Sequence, residues 1–263
     1  MVVSPRPIEK YFSAPNLMVL SKQYRIAIAA RKGGVGKTTI GCSLASVFAA
    51  QHKSVLLIDL DPQSNSAYAL GVDPSASGTA ELLRGEQPTP LVANEYLHVF
   101  PGGPNLNNQA IQSLHPEELA DIIDRLPYEV VILDCPPGNE NLERFGIVAS
   151  NITLVVTNAH PFAIMGASRV LAILDSYRTK ERRGPKDWAL VLSQIDERRG
   201  LDKTLPAELQ VMFPDIKHLM VHQDTNLSQA GAQQTPIVEY APKSKAVEEL
   251  RSIAQWVCEI IDN

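Results

Sequence analysis

The sequence predicts a doubly wound α/β fold, a mostly parallel sheet with helices on both faces. Three observations predict it. Short apolar runs rich in Ile, Val and Leu alternate with helical stretches, the pattern of strands buried on both faces and joined by crossover helices. The first run, Ile26 to Ala30, opens into a glycine-rich turn, Lys32-Gly33-Gly34-Val35-Gly36-Lys37-Thr38-Thr39, and then into a helical stretch, Ile40 to Ala50. Two later runs, Val55 to Leu60 and Val130 to Leu133, end in aspartates, where parallel strands present groups to ligands.

The elements follow in order. Residues 1–24 carry Pro5, Pro7 and Pro15 without sustained periodicity, so they are expected to form a largely irregular arm, and 25–263 the folded domain. Beyond the first two strands, Leu97 to Phe100 reads as a short strand. His115-Pro116 opens a helix over Pro116 to Leu126. Ile152 to Val156, Ala189 to Ile195 and Leu219 to Val221 read as further strands; Phe162 to Arg178 and Leu205 to Met212 read as helices. At the C-terminus, Val247, Leu250, Ala254, Val257 and Ile261 fall on one helical face, which predicts a helix packed on the sheet. A membrane-surface helix needs a basic polar face, and this one ends Glu259-Ile260-Ile261-Asp262-Asn263, so no membrane partner is expected.

At 263 residues, 44% hydrophobic and 20% charged, the chain has an ordinary globular composition. No apolar run approaches the roughly 20 residues needed to span a bilayer, and the N-terminus lacks the pattern of a secretory signal. Cys42, Cys135 and Cys258 have no metal-ligand spacing, which fits a reduced, cytoplasmic chain. The net charge of −5 is uneven: residues 1–53 carry a net +7 and residues 54–168 a net −11. An acidic whole can therefore present a basic face.

The glycine-rich turn carries the chemistry. Glycines let several backbone N–H groups point into one hollow, and the following helix N-terminus adds unpaired donors and partial positive charge. In that context Lys37 reaches the β- and γ-phosphates of a nucleotide, and the Thr38 hydroxyl can ligate Mg²⁺. Asp59 and Asp61 sit two apart at the tip of the second strand, facing one side of an extended chain. Asp134, at the tip of another buried strand, is a hard oxygen donor suited to Mg²⁺. Cys135 is expected to pack as a small apolar side chain.

The first glycine of the common phosphate loop is replaced here by Arg31, followed by Lys32. This K-G-G-x-G-K-T-T form resembles the deviant Walker A loop of the ParA/MinD group of ATPases. Asp59-Leu60-Asp61-Pro62-Gln63-Ser64-Asn65 is similar to the group's D-x-D-P-Q-x-N segment, and Asp134-Cys135-Pro136-Pro137 to its Walker B ending, with Gly138 where Ser is common. Asp196-Glu197-Arg198-Arg199-Gly200-Leu201, Asn226-Leu227-Ser228-Gln229-Ala230 and Tyr240-Ala241-Pro242-Lys243-Ser244-Lys245 resemble further family segments, so the likeness runs from residue 25 to about 260. The short, Soj-like members without an N-terminal helix-turn-helix domain are the nearest in form.

The resemblance implies a P-loop NTPase fold and a slow, Mg²⁺-dependent ATP hydrolase. ATP would sit against Lys32, Gly33, Gly34, Val35, Gly36, Lys37, Thr38 and Thr39. Thr38, Asp59 and Asp134 would serve Mg²⁺, Asp61 the attacking water, and Lys32 the partner's nucleotide across a homodimer. The family's ATP-dimers hold DNA without sequence preference, associate with the nucleoid, position a plasmid, chromosome or other cargo, and hydrolyse faster when a ParB-like or cargo-adaptor partner binds. For DNA this chain offers Arg198, Arg199, Lys203, Lys243 and Lys245, joined by Arg182 and Arg183. Gln223 and Asn226 replace arginines usual in the family, and Lys243 and Lys245 lack arginine's bidentate fork. The other readings are a MinD-like membrane-associated positioning ATPase and a nucleotide-binding scaffold with negligible turnover.

Overall fold

The computed structural model describes residues 22–180 and 182–262. All but the last three residues of the 1–24 arm thus lie outside the described residues; Tyr24 already begins the first strand.

Eight strands form one sheet: β1 (Tyr24–Ala29), β2 (Val55–Asp59), β3 (Leu91–Asn94), β4 (Leu97–Phe100), β5 (Val130–Asp134), β6 (Ile152–Thr157), β7 (Asp187–Ile195) and β8 (Lys217–His222). Their order is β3-β4-β2-β5-β1-β6-β7-β8, parallel except for β3, which runs antiparallel to β4. The chain winds outward from β1 in both directions, so the carboxyl ends of β1, β2 and β5 meet at the switch point of the topology, where ligands bind in such sheets.

Between the strands run α1 (Lys37–Ala50), α2 (Asn65–Ala69), α3 (Thr79–Leu83), α4 (Gln109–Gln112), α5 (Glu118–Ile123), α6 (Glu140–Ala149), α7 (Pro161–Thr179), α8 (Gly200–Met212), α9 (Thr225–Ala232), α10 (Ile237–Tyr240) and α11 (Lys245–Asp262). Alternate strand residues face opposite layers. Ile26, Ile28, Leu57, Ile132 and Leu154 pack with α1 and α11; Leu56, Ile58, Val131 and Leu133 pack with α5 and α6; Val155, Leu190 and Leu192 pack with α7 and α8. Each such side chain, fully buried, contributes roughly 1.5–3 kcal/mol, which is why the strands read as continuous apolar runs. Helix α1 lies between the sheet and α11 and is buried nearly all round. The face of α11 expected to pack does so through Val247, Leu250, Ala254 and Val257. Among the described residues no helix is long and apolar enough to cross a membrane.

The helix expected over 116–126 is shorter, and β3 was not expected. Its four residues are half-buried or exposed, so they show no apolar run; pairing with β4 across a tight turn makes the strand.

Cys135 is 1% exposed, packed as a small apolar group. A Cβ on Gly146 of α6 would lie 2.4 Å from Cys135 Sγ and 3.1 Å from Leu60 Cδ1. Gly146→Ala is therefore expected to destabilise the fold by roughly 1–3 kcal/mol, against the stabilisation of about 1 kcal/mol that helix propensity alone would give. Urea unfolding checks this, and adding Cys135→Ala should restore most of the loss.

Candidate functional site

The loop leaving β1 has the geometry its glycines permit. Gly34 and Gly36 have φ values of 76° and 91°, in the left-handed region that disfavours side chains. Helix α1 begins at Lys37 with no side-chain cap and no acid in its first turn, so its N-terminal N–H groups remain available to an anion. Lys37 is 6% exposed and makes no ion pair among the described residues. Thr38 and Thr39 follow at the mouth of a cavity of about 430 Å³ lined by Gly33, Gly34, Lys37, Thr38, Asp61 and Asn65, among others. A second cavity of about 320 Å³ adjoins it through Gly36, Thr39 and Gln194 and runs toward His222–Thr225.

Beneath the loop two acids stand side by side. Asp59 and Asp134 are register partners at the ends of β2 and β5, 0% and 1% exposed. They are not equivalent. Asp59 Oδ1 accepts the Asp61 N–H at 2.8 Å, and Oδ2 accepts the Ser66 N–H at 3.1 Å and the Ser66 hydroxyl. Asp134 has both oxygens buried without a hydrogen-bond partner. Burial pushes its pKa up to about 6, while the neighbouring Thr38 hydroxyl and Lys37 ammonium pull it back. Burial, and then Asp134, push Asp59 up as well. A buried carboxylate with open lone pairs beside a hydroxyl and an ammonium fits a divalent cation, whose charge would relieve the crowding. Asp59, with its acceptor positions filled from the protein, fits a supporting role behind Asp134.

Asp61 differs from the expectation of two acids on one side of a strand. Strand β2 stops at Asp59, and Asp61 lies in the following turn, half-exposed at the cleft, where Oδ1 accepts the Gln63 N–H at 2.9 Å. Lys32 is half-buried at the loop's edge and does not line the cleft.

The AAA domain family matches residues 23–184. The chromosome-partitioning ATPase Soj of Thermus thermophilus is 30% identical over 243 residues, covering 91% of this chain and 97% of its own. The chromosome partitioning protein ParA of Myxococcus xanthus is 27% identical, covering 88% and 86%. The chain belongs to the ParA/MinD family of ATPases. Its fold is also that of the septum site-determining protein MinD of Pyrococcus horikoshii, solved as a complex with Mg-ADP, with a TM-score of 0.75 at 22% identity over 90% of this chain and 97% of the other.

The candidate DNA residues of this ParA-family ATPase come from two segments that meet. Arg198, Arg199 and Lys203 lie at the carboxyl end of β7 and the start of α8; Lys243 and Lys245 lie at the start of α11. His222 joins the segments, with Nδ1 2.5 Å from Glu249 and Nε2 3.3 Å from Glu197, and Lys245 Nζ is 3.6 Å from the same Glu249. All five basic residues are exposed, and Arg198 is 89% exposed while bonded to Asp196, which it holds down at about 2. Arg182 and Arg183 do not join them. They precede β7 at its other end, and Arg183 is paired with Asp121 and Asp124.

Several site residues gave no sequence signal. Gln194 has a φ of 58° and donates Nε2–H to the Gly34 carbonyl at 3.2 Å; the Ser193 hydroxyl donates to the Val35 carbonyl. Gly102 packs on the Asp61 backbone so closely that a Cβ would fall 2.0 Å from the Asp61 carbonyl oxygen. The Pro101-Gly102-Gly103-Pro104 turn after β4 was the available hint. Gly138, where Ser is common in the family, has a φ of 75°, in the left-handed region that favours glycine.

A carboxyl raised from 3.8 to about 6 by folding stabilises the fold fully below pH 4 and loses that contribution as pH rises through about 6. Asp134→Asn is thus expected to raise the unfolding free energy of the metal-free, nucleotide-free chain at pH 8 by roughly 1–3 kcal/mol. Urea melts across pH should show this gain shrinking to nothing near pH 4.

Proposed function

We propose that this chain is a Mg²⁺-dependent ATPase, its ATPase domain spanning 25–263, that works as an ATP-gated dimer on DNA to position a chromosome, plasmid or other cargo. That it is an ATP-hydrolysing member of the ParA family follows from the family match and the likeness to Soj. The observation that carries the site reading is the buried carboxylate of Asp134 under the uncapped N-terminus of α1, with the Thr38 hydroxyl and the Lys37 ammonium beside it.

In this reading the N–H groups of Gly33 to Thr39 and the Lys37 ammonium hold the β- and γ-phosphates. The Thr38 hydroxyl and Asp134 hold Mg²⁺, with Asp59 behind them, and the metal, when bound, offsets charge on the phosphate oxygens. Asp61, fixed by Gly102 and the Gln63 N–H, orients the attacking water. Phosphoryl transfer needs little from a general base, so a slow intrinsic rate is expected. The cavity toward His222–Thr225 receives the base. Lys32, which does not line its own chain's cleft, serves the partner's phosphates, so dimerisation completes the site in the manner of a finger in trans.

The exposed Arg198, Arg199, Lys203, Lys243 and Lys245 form the DNA face, binding phosphates without reading bases. A ParB-like or adaptor partner accelerates hydrolysis and releases the dimer, so the chain is nucleoid-associated while ATP is bound. The membrane alternative is disfavoured by the exposed face of α11, where Glu248, Glu259 and Asp262 outnumber Lys245 and Arg251.

Retention on nonspecific duplex DNA with ATP, ADP or no nucleotide, across a salt series and with solution mass followed in parallel, tests the reading. ATP-only, steeply salt-dependent retention of a dimer is expected; an ATP-dimer indifferent to DNA would contradict it. Arg198→Ala with Lys243→Ala should reduce retention and flatten its salt slope, and unchanged retention would remove both from the DNA face. Among nucleotide-site variants, Lys37→Ala should lose ATP binding. Lys32→Ala should bind ATP yet stay monomeric, and Asp61→Ala should accumulate as a dimer. Calorimetry and light scattering separate these outcomes, and a monomeric Asp61→Ala chain would count against the scheme.

A further inference from the structure

Arg31 replaces the loop's first common glycine, and the reading above leaves its chemistry unused. Its guanidinium turns away from the cleft: Nη1 lies 2.5 Å from Glu140 Oε1, and Nη2 lies 3.2 Å from Glu143 Oε2. Glu140 is exposed, but Glu143 is 3% exposed, and its second oxygen, like Arg31 Nε, is buried without a hydrogen-bond partner. Burial pushes the Glu143 carboxyl up and Arg31 pulls it back. A buried carboxylate so dependent on one guanidinium fixes that guanidinium in turn.

A second observation points to the same contact. Gly166 lies inside α7, where glycine is a poor helix former. A Cβ there would lie 3.3 Å from Arg31 Cβ and 3.7 Å from Lys32 N. The helix thus leaves space for the edge of the loop. Helix α6, which carries Glu143, begins directly after the turn from Asp134 to Gly138. Loop, metal-side turn and α7 therefore meet at one side chain adjacent to Lys32.

We propose that Arg31, seated against Gly166, and its partner Glu143 are positioning residues that hold the Lys32 edge of the phosphate loop in register with the Asp134 turn, setting the rate of turnover rather than the affinity for nucleotide. This rests on the hydrolytic reading of the site. Gly166→Ala is the discriminating variant. The better helix propensity of alanine opposes the cost of its Cβ pressing on Arg31, so the fold should remain intact while Arg31 gives way by a few tenths of an ångström. Its kcat with saturating Mg²⁺ and ATP should fall about 3- to 10-fold, with ATP Kd within about 2-fold of the parent. Glu143→Gln should lower kcat about 10-fold with a similarly small effect on Kd, and Glu143→Asp should recover part of that loss. Unchanged kcat in both Gly166→Ala and Glu143→Gln would overturn the proposal, as would losses in kcat, Kd and stability moving in proportion. An unsubstituted chain that binds ATP without turning it over would overturn the hydrolytic reading, and the proposal with it; normal parental turnover with unchanged variants would overturn the pair alone.

Discussion

Two carboxylates buried side by side, Asp59 and Asp134, set the terms for everything around them. Parallel pairing of β2 with β5 places them in register, and the apolar strands behind them leave no water to share their charge. A fold carries such a pair only with compensation. Asp59 is compensated from within, by Ser66 and the Asp61 N–H. Asp134 is compensated only in part, by the Thr38 hydroxyl and the Lys37 ammonium at the start of α1. The two buried carboxylates thus concentrate negative charge directly below the glycine-rich loop. A divalent cation bound with a nucleotide would offset that charge at this point.

The same geometry links the site to its surroundings. Asp61 is placed by the backbone of Gly102, from the loop after β4, so the acid proposed to orient water depends on an element more than forty residues downstream. Gln194 and Ser193, at the end of β7, hold the carbonyls of Gly34 and Val35. Because β7 continues into Arg198 and Arg199, the segment that braces the loop also carries two of the five basic residues proposed to meet DNA. His222, between Glu197 and Glu249, ties that segment to the start of α11. In the proposed scheme this is the physical route by which nucleotide state and DNA contact influence each other.

Much of this was legible in the sequence because the information was local. Seven of the eight strands announced themselves as apolar runs, and the loop, Asp59, Asp61 and Asp134 as motifs of a few residues each. What was not legible arises from contacts between distant segments. Ser193 meets Val35 across 158 positions, Gln194 meets Gly34 across 160, and Arg31 meets Glu143 across 112. None of these pairings follows from a periodicity or a spacing. Charge was legible only in part: Arg183 was added to the basic set, but it precedes β7 while Arg198 follows it, so the sheet sets them at opposite ends of the strand. Strand β3 was missed because pairing, rather than burial, makes it a strand.

In the proposed scheme Asp134 holds Mg²⁺ together with the nucleotide. This is tested most directly by ATP turnover of the parent chain and of Asp134→Asn, with Mg²⁺ present and with it chelated. The account predicts slow turnover by the parent that requires Mg²⁺, and no Mg²⁺-dependent turnover by the variant, whose fold remains intact. Turnover insensitive to chelation, or an Asp134→Asn chain as active as the parent, would contradict it.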